Sequence, residues 1–174
     1  MEYDFVLNFK LADPGPVGDD VVERLGKAGC DDAMVGAGMP GNVALMFTRE
    51  ASSAKQAILS ALEDVKRALP DAELIEVCPD LVGLSDIAEL VGVSRQNMRK
   101  LMTSHAATFP APVHDGSTAL WHLTSVLEWL NARDGYSIDK RLLDVARMAM
   151  QVNLAKELQL LNQPVEKRIR ALFA

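Results

Sequence analysis

Cysteine is nearly missing: Cys30 and Cys78 are the two in 174 residues, they form no C-x-x-C pair, and each sits among apolar neighbours. That pattern argues against a disulfide framework or a cysteine-based zinc site and leaves two small apolar thiols. Long hydrophobic runs are missing too. No window approaches the roughly 18 uninterrupted apolar residues of a membrane helix. The acidic start MEYDF lacks the basic and apolar stretches of a signal peptide. The expectation is a cytoplasmic protein without a membrane segment. His105, His114 and His122 have no metal-ligand spacing within a helix, and no Ser-His-Asp or Cys-His arrangement can be assembled. Neither catalysis, nor a cofactor, nor a metal is expected.

What is present is an ordinary globular composition, 49% hydrophobic and 24% charged, in a chain long enough for one or two domains with extensions. The net charge of −6 is unevenly spread. Residues 1 to 80 carry 7 basic and 15 acidic groups, residues 81 to 134 carry 4 and 5, and residues 135 to 174 carry 7 and 4. An acidic surface repels nucleic acid, so any phosphate-binding surface belongs to the later segments.

Hydrophobic periodicity organises the first 80 residues. Tyr3, Phe5, Leu7 and Phe9 alternate with polar or smaller residues, the period of a strand with one buried face. The turn Pro14-Gly15-Pro16 ends it, and Val21, Val22 and Leu25 then predict a short helix closed by Gly26 and Gly29. Runs at 33 to 35 and 43 to 47 predict a hairpin around the loop 36 to 42. Residues 52 to 69 predict a helix capped by Ser52 or Ser53 and ended by Pro70, and 72 to 78 a fourth strand. The order βαββαβ predicts a ferredoxin-like antiparallel sheet covered on one face, within an α+β protein.

The segment LVGLSDIAELVGVSRQNMRKLM predicts two short helices joined by a tight turn. Ser85 is the expected cap of the first, with Ile87, Leu90 and Val91 facing inward. Gly92 supplies the turn, Val93 plugs it, and Ser94 caps the second helix above Met98, Leu101 and Met102. That spacing leaves Arg95, Gln96, Asn97, Arg99 and Lys100 outward. Arg can donate twice to guanine, Gln and Asn can both donate to and accept from adenine, and Lys with free helix N–H groups suits phosphate. Phe109-Pro110-Ala111-Pro112-Val113, the Asp115-Gly116 turn and the strand 118 to 122 predict a β-wing, on which His114 and Ser117 can reach a DNA backbone. Thr124 is the expected cap of a third helix carrying Val126, Leu127, Trp129 and Leu130. Trp121 and Trp129 are read as core braces.

Residues 82 to 132, through Ile87-Ala88, Gly92-Val93-Ser94, Phe109-Pro110-Ala111-Pro112-Val113, Gly116, Trp121 and Val126-Leu127-Glu128-Trp129-Leu130, resemble the MerR-like winged helix-turn-helix of the AlpA and excisionase type. The resemblance implies sequence-selective binding to duplex DNA. It departs from such proteins in its wing, where Asp115 stands in place of the usual basic residues. Most of the chain is also similar to bacterial DNA-binding proteins that join such an N-terminal domain to this helix-turn-helix.

The expected division is a sensor or interaction domain at 1 to 80, the DNA-binding domain at 81 to 134 and a helical extension at 135 to 174. In the extension Leu142, Leu143, Ala146, Met150, Leu154, Leu158 and Leu161 form a stripe that either packs across the helix-turn-helix or, the reading preferred, pairs with a second copy, and a short basic helix with Lys167, Arg168 and Arg170 follows. The functional expectation is a dimeric regulator of transcription, a repressor or autoregulator on a palindromic site. A small effector or a protein partner would then bind the N-terminal domain. The alternative is an antitoxin-like or defence-type component whose acidic N-terminal domain binds a basic protein. Gly36-Ala37-Gly38-Met39-Pro40-Gly41 spells G-x-G-x-x-G but precedes a strand rather than a helix, and Pro40 has no N–H to offer a phosphate. Asp19-Asp20 and Asp31-Asp32 are read as solvated turns. The acidic N-terminal half lacks the exposed aromatics with basic neighbours that an RNA-binding sheet needs.

Overall fold

The computed structural model of the chain describes residues 1–173 apart from Pro14 and Pro16. Two residues of the expected Pro14-Gly15-Pro16 turn therefore lie outside the described residues. The protein is α+β. A four-stranded antiparallel sheet is followed by a helical half built round a two-stranded ribbon.

Strand β1 (Glu2–Lys10) keeps the alternation written in its sequence, with Tyr3, Phe5, Leu7 and Phe9 all buried. It lies at the centre, in register with β3 (Asn42–Glu50) from Glu2 opposite Glu50 to Lys10 opposite Asn42. Strand β2 (Ala33–Ala37) pairs with the other side of β3, and β4 (Glu73–Cys78) with the other side of β1, so the order is β2-β3-β1-β4. The G-x-G-x-x-G loop is the β2–β3 hairpin, turned by Gly41 at φ +81°. Helices α1 (Asp19–Lys27) and α2 (Ala54–Ala68) send Leu25, Ala57, Ile58, Ala61 and Val65 into the core beneath the sheet. Of the two candidate caps of α2, Ser53 does the capping, accepting from the Gln56 N–H at 3.1 Å. Val22, expected inward, is 45% exposed, because one short helix turns only Leu25 fully under the sheet.

One buried cation fastens this half together. Arg49 donates to both carboxylate oxygens of Asp32 (2.7 and 2.9 Å), to Asp64 (2.8 Å), to Ser60 (3.0 Å) and to the Gly29 carbonyl (2.7 Å). Asp32 is therefore an ion-pair partner rather than a solvated turn residue, while Asp31 is exposed. The pairing keeps the guanidinium charged, and Gly29 at φ +103° aims its carbonyl at it.

Helix α6 (Lys140–Leu158) corrects the expected self-pairing of its whole stripe. Val145 and Ala149 enter the core of the sheet, while Leu143 and Ala146 enter the second core with Ile87, Met98 and Leu127. The first half of the stripe is consumed inside the chain. Leu154 and Leu158, further along, are exposed. The helix also covers the free edge of β4. The Val77 N–H donates to Asn153 Oδ1 at 2.8 Å, Asn153 Nδ2 donates to the Val77 carbonyl at 2.9 Å, and Lys156 donates to the Ile75 carbonyl. Helix α7 (Gln163–Phe173) begins with Pro164 in its first turn, where a missing N–H costs nothing, and buries no residue.

Candidate nucleic-acid interface

Helix α3 (Leu84–Leu90) and helix α4 (Arg95–Ser104) cross at a turn where Gly92 takes φ +71°, a conformation that glycine adopts without a Cβ penalty. The Val93 N–H returns to the Ala88 carbonyl at 2.9 Å and closes the corner. The cap of α3 is Gly83 rather than Ser85: the Gly83 N–H donates to Asp86 at 2.9 Å, and Ser85 lies inside the helix. Leu90, expected inward, is 41% exposed, and Ala88 takes the inner position with Ile87. The cap of α4 is Ser94 as expected, its hydroxyl accepting from the Asn97 N–H at 3.1 Å.

Met98 is fully buried beneath α4, against Ile87 and against Leu123, Val126, Leu127 and Leu130 around helix α5 (Leu123–Asn131). Arg95, Gln96, Asn97, Arg99 and Lys100 are all exposed. Among the described residues none of these five side chains takes part in an intramolecular hydrogen bond or ion pair. Arg95 and Arg99 stand one turn apart in one row, and Gln96 and Lys100 in the next. The far end of α4 is held by its C-cap, His105, whose Nε2 lies 2.9 Å from Arg133 Nη2. The same guanidinium sits 4.5 Å over the Trp129 ring. Phe109 meets Trp121 and Trp129 edge-on, and Trp121 Nε1 donates to the Pro110 carbonyl at 3.0 Å. Both tryptophans are thus braces that fix the helix from behind.

The expected wing is much reduced. A single bridge joins His114 to Leu120, and the residues that follow, β6 (Trp121–His122), pair with β5 (Leu81–Val82) instead. Pro110 and Pro112 have no N–H for a ladder, and Gly116 does not adopt the positive φ that a two-residue Asp-Gly turn demands, so a wider loop forms. His114 and Ser117 are exposed on it, with the His114 ring lying over Gly116. Thr124 is buried in the first turn of α5, and His122 occupies the cap position.

Three residues that the sequence does not advertise join the helical half to the sheet. Asp80, 1% exposed, accepts from Asn153 Nδ2 at 2.8 Å and lies 2.7 Å from His122 Nδ1, while its carbonyl accepts from the Leu123 N–H at 2.7 Å. Sheet, ribbon and α6 meet at that one carboxylate. In sequence Cys78-Pro79-Asp80 has the look of a linker, and only the chain's return at 122 and 153 reveals a junction.

No cluster of metal-binding side chains occurs among the described residues, and no helix among them is long and apolar enough to cross a membrane. Comparison with protein-family models, curated proteins and solved structures returns no match.

Proposed function

We propose that the chain is a sequence-reading regulator of transcription that binds duplex DNA through α4, with residues 81–134 as a winged helix-turn-helix of the MerR-like type. One observation carries the reading: five side chains able to read bases and phosphates are held out on a braced helix with no internal partner. The strand order β2-β3-β1-β4, with α1 and α2 on one face, supports a ferredoxin-like N-terminal domain. Ser94 and the N–H groups beside it suit a phosphate, Arg95, Gln96, Asn97 and Arg99 suit base edges, and Lys100, His114 and Ser117 suit the flanking backbone. Three cations per copy are few for tight binding at physiological salt. A dimer on a palindrome doubles the contacts, and the exposed apolar end of α6 with α7 supports pairing of two chains.

The test is selection of duplex DNA from a random pool by the full-length protein, with the Arg95→Ala, Asn97→Ala, Arg99→Ala triple variant beside it. The expected outcome is a palindromic motif that the variant loses while its melting temperature holds, since exposed polar substitutions change stability by about 0.5 kcal/mol or less. Equal recovery by both proteins would remove α4 from the interface. Recovery of no motif by either would favour the protein-partner function.

A further inference from the structure

The open face of the sheet, away from α1 and α2, does not meet solvent as a flat surface. Val6, Met34 and Met46 from the strands, with Leu90 from α3 and Leu142 from α6, line a cleft of about 790 Å³ between the two halves of the molecule. Met34 is 69% exposed and Met46 41%, an unusual outlay of methionine in a region otherwise so acidic. Among the described residues the charged groups lining the cleft are Asp4, Asp31 and Asp32; Asp32 already serves Arg49, and Asp4 accepts from the Thr48 hydroxyl at 2.8 Å. At the other end of the chain α7 has the opposite character. Val165, Ile169, Leu172 and Phe173 fall on one helical face, all exposed, and the helix carries Lys167, Arg168 and Arg170 against the single acid Glu166. Arg168 flanks the apolar face on one side, Arg170 on the other is paired with Glu166 at 2.7 Å, and Lys167 points away from it.

We infer that α7 of one copy seats in the acid-rimmed cleft of a second copy, and reciprocally, so that two chains exchange C-terminal helices. Charge complementarity selects this occupant: an apolar floor with carboxylates at its rim fits an apolar helix that carries three cations against one acid. Reach counts against the chain's own helix. Leu142 lines the cleft and Leu158 ends α6 sixteen residues later, roughly 24 Å away at the helical rise, whereas α7 spans only about 16 Å. The connection at 159 to 162 is used up by the reversal a fold-back would need. Because Leu90 of α3 forms part of the cleft wall, a seated helix would also clamp the two halves of its partner and fix the spacing of two α4 helices.

The inference rests on the dimeric part of the proposed function, and charge reversal separates the two. One full-length variant carries Arg168→Glu and Arg170→Glu, and a second carries Asp4→Lys and Asp31→Lys. All four positions are exposed. Native mass spectrometry and sedimentation equilibrium at low salt are expected to give a dimer for the unaltered protein and monomers for each variant alone. An equimolar mixture of the variants is expected to give a heterodimer, because both exchanged contacts are then complementary. A dimer that persists in either variant alone would overturn the inference and leave dimerisation standing. So would two monomeric variants that fail to associate when mixed, a result that would seat α7 elsewhere, as in the groove of Leu59, Leu62 and Val152. A monomeric unaltered protein would remove the dimer and the inference together.

Discussion

Arg49 has its guanidinium committed to Asp32, Asp64, Ser60 and the Gly29 carbonyl, and so joins β3, the β2 entry and α2 through one side chain. Replacing it with Met keeps the packing over Phe47 but leaves Asp32 without its cation and Asp64 with Arg67 alone, at 3.1 Å. Such losses run to roughly 3–5 kcal/mol, and the partial exposure of Asp32 and Asp64 places this one near the lower end. Urea denaturation of Arg49→Met is expected to show a lower midpoint at unchanged slope. A loss under about 1 kcal/mol would mean that water replaces the cation without penalty. Cys30 lies close by, and burial, with a smaller contribution from Asp64, pushes its thiol up to about 11. The folded protein therefore holds that proton through a range in which the unfolded chain, with its thiol near 9, releases it. Stability contributed by this group is full below 9 and declines as pH rises from 9 to 11. Iodoacetamide at pH 8 is expected to label Cys30 far more slowly in buffer than in urea; equal rates would show the thiol accessible in the native state.

Elements whose amphipathic period is complete within their own residues were legible in the sequence: β1, β3, α2 and α4 lie where alternation or helical spacing puts them. Their buried sides need no distant partner to be recognised. Caps were half legible, because Ser53 and Ser94 act locally, whereas Asp86 displaces Ser85 by reaching back to Gly83. The wing is shorter than its turn signal predicts, since that signal says nothing of whether the strands beside it have N–H groups to pair. The five polar residues of α4 were found as exposed positions, but the junction of Asp80, His122 and Asn153 was not, its members being up to 73 residues apart. Nor does a leucine stripe reveal what covers it. Here α6 feeds two cores, so truncation has an expected outcome of its own. A chain ending at residue 158 keeps Leu143, Val145, Ala146 and Ala149 and is expected to match the full-length circular dichroism. A chain ending at residue 139 loses all four, each removal opening a cavity in a packed interior, and is expected not to fold. A folded, soluble 1–139 fragment would show that α6 is an accessory.

For the molecule as a whole, a helix common to both cores and a buried carboxylate joining three elements couple the sheet to the helical half. Calorimetry is accordingly expected to give one unfolding transition whose van't Hoff and calorimetric enthalpies agree, and two resolved transitions would show that the halves unfold independently. Asn153→Ala, which removes one corner of the junction, is expected to lower that transition by an amount set by roughly 1–3 kcal/mol for the stranded Val77 and Asp80 groups. The same asparagine has a second effect, on the behaviour of many molecules together. A sheet's last strand offers its unpaired peptide groups to any passing chain, and β4 would do so along its outer side. By occupying the Val77 groups while Lys156 takes the Ile75 carbonyl, α6 removes three of the peptide groups a foreign strand would template on, so the helix that also holds the fold together guards this rim of the sheet against amyloid-like growth.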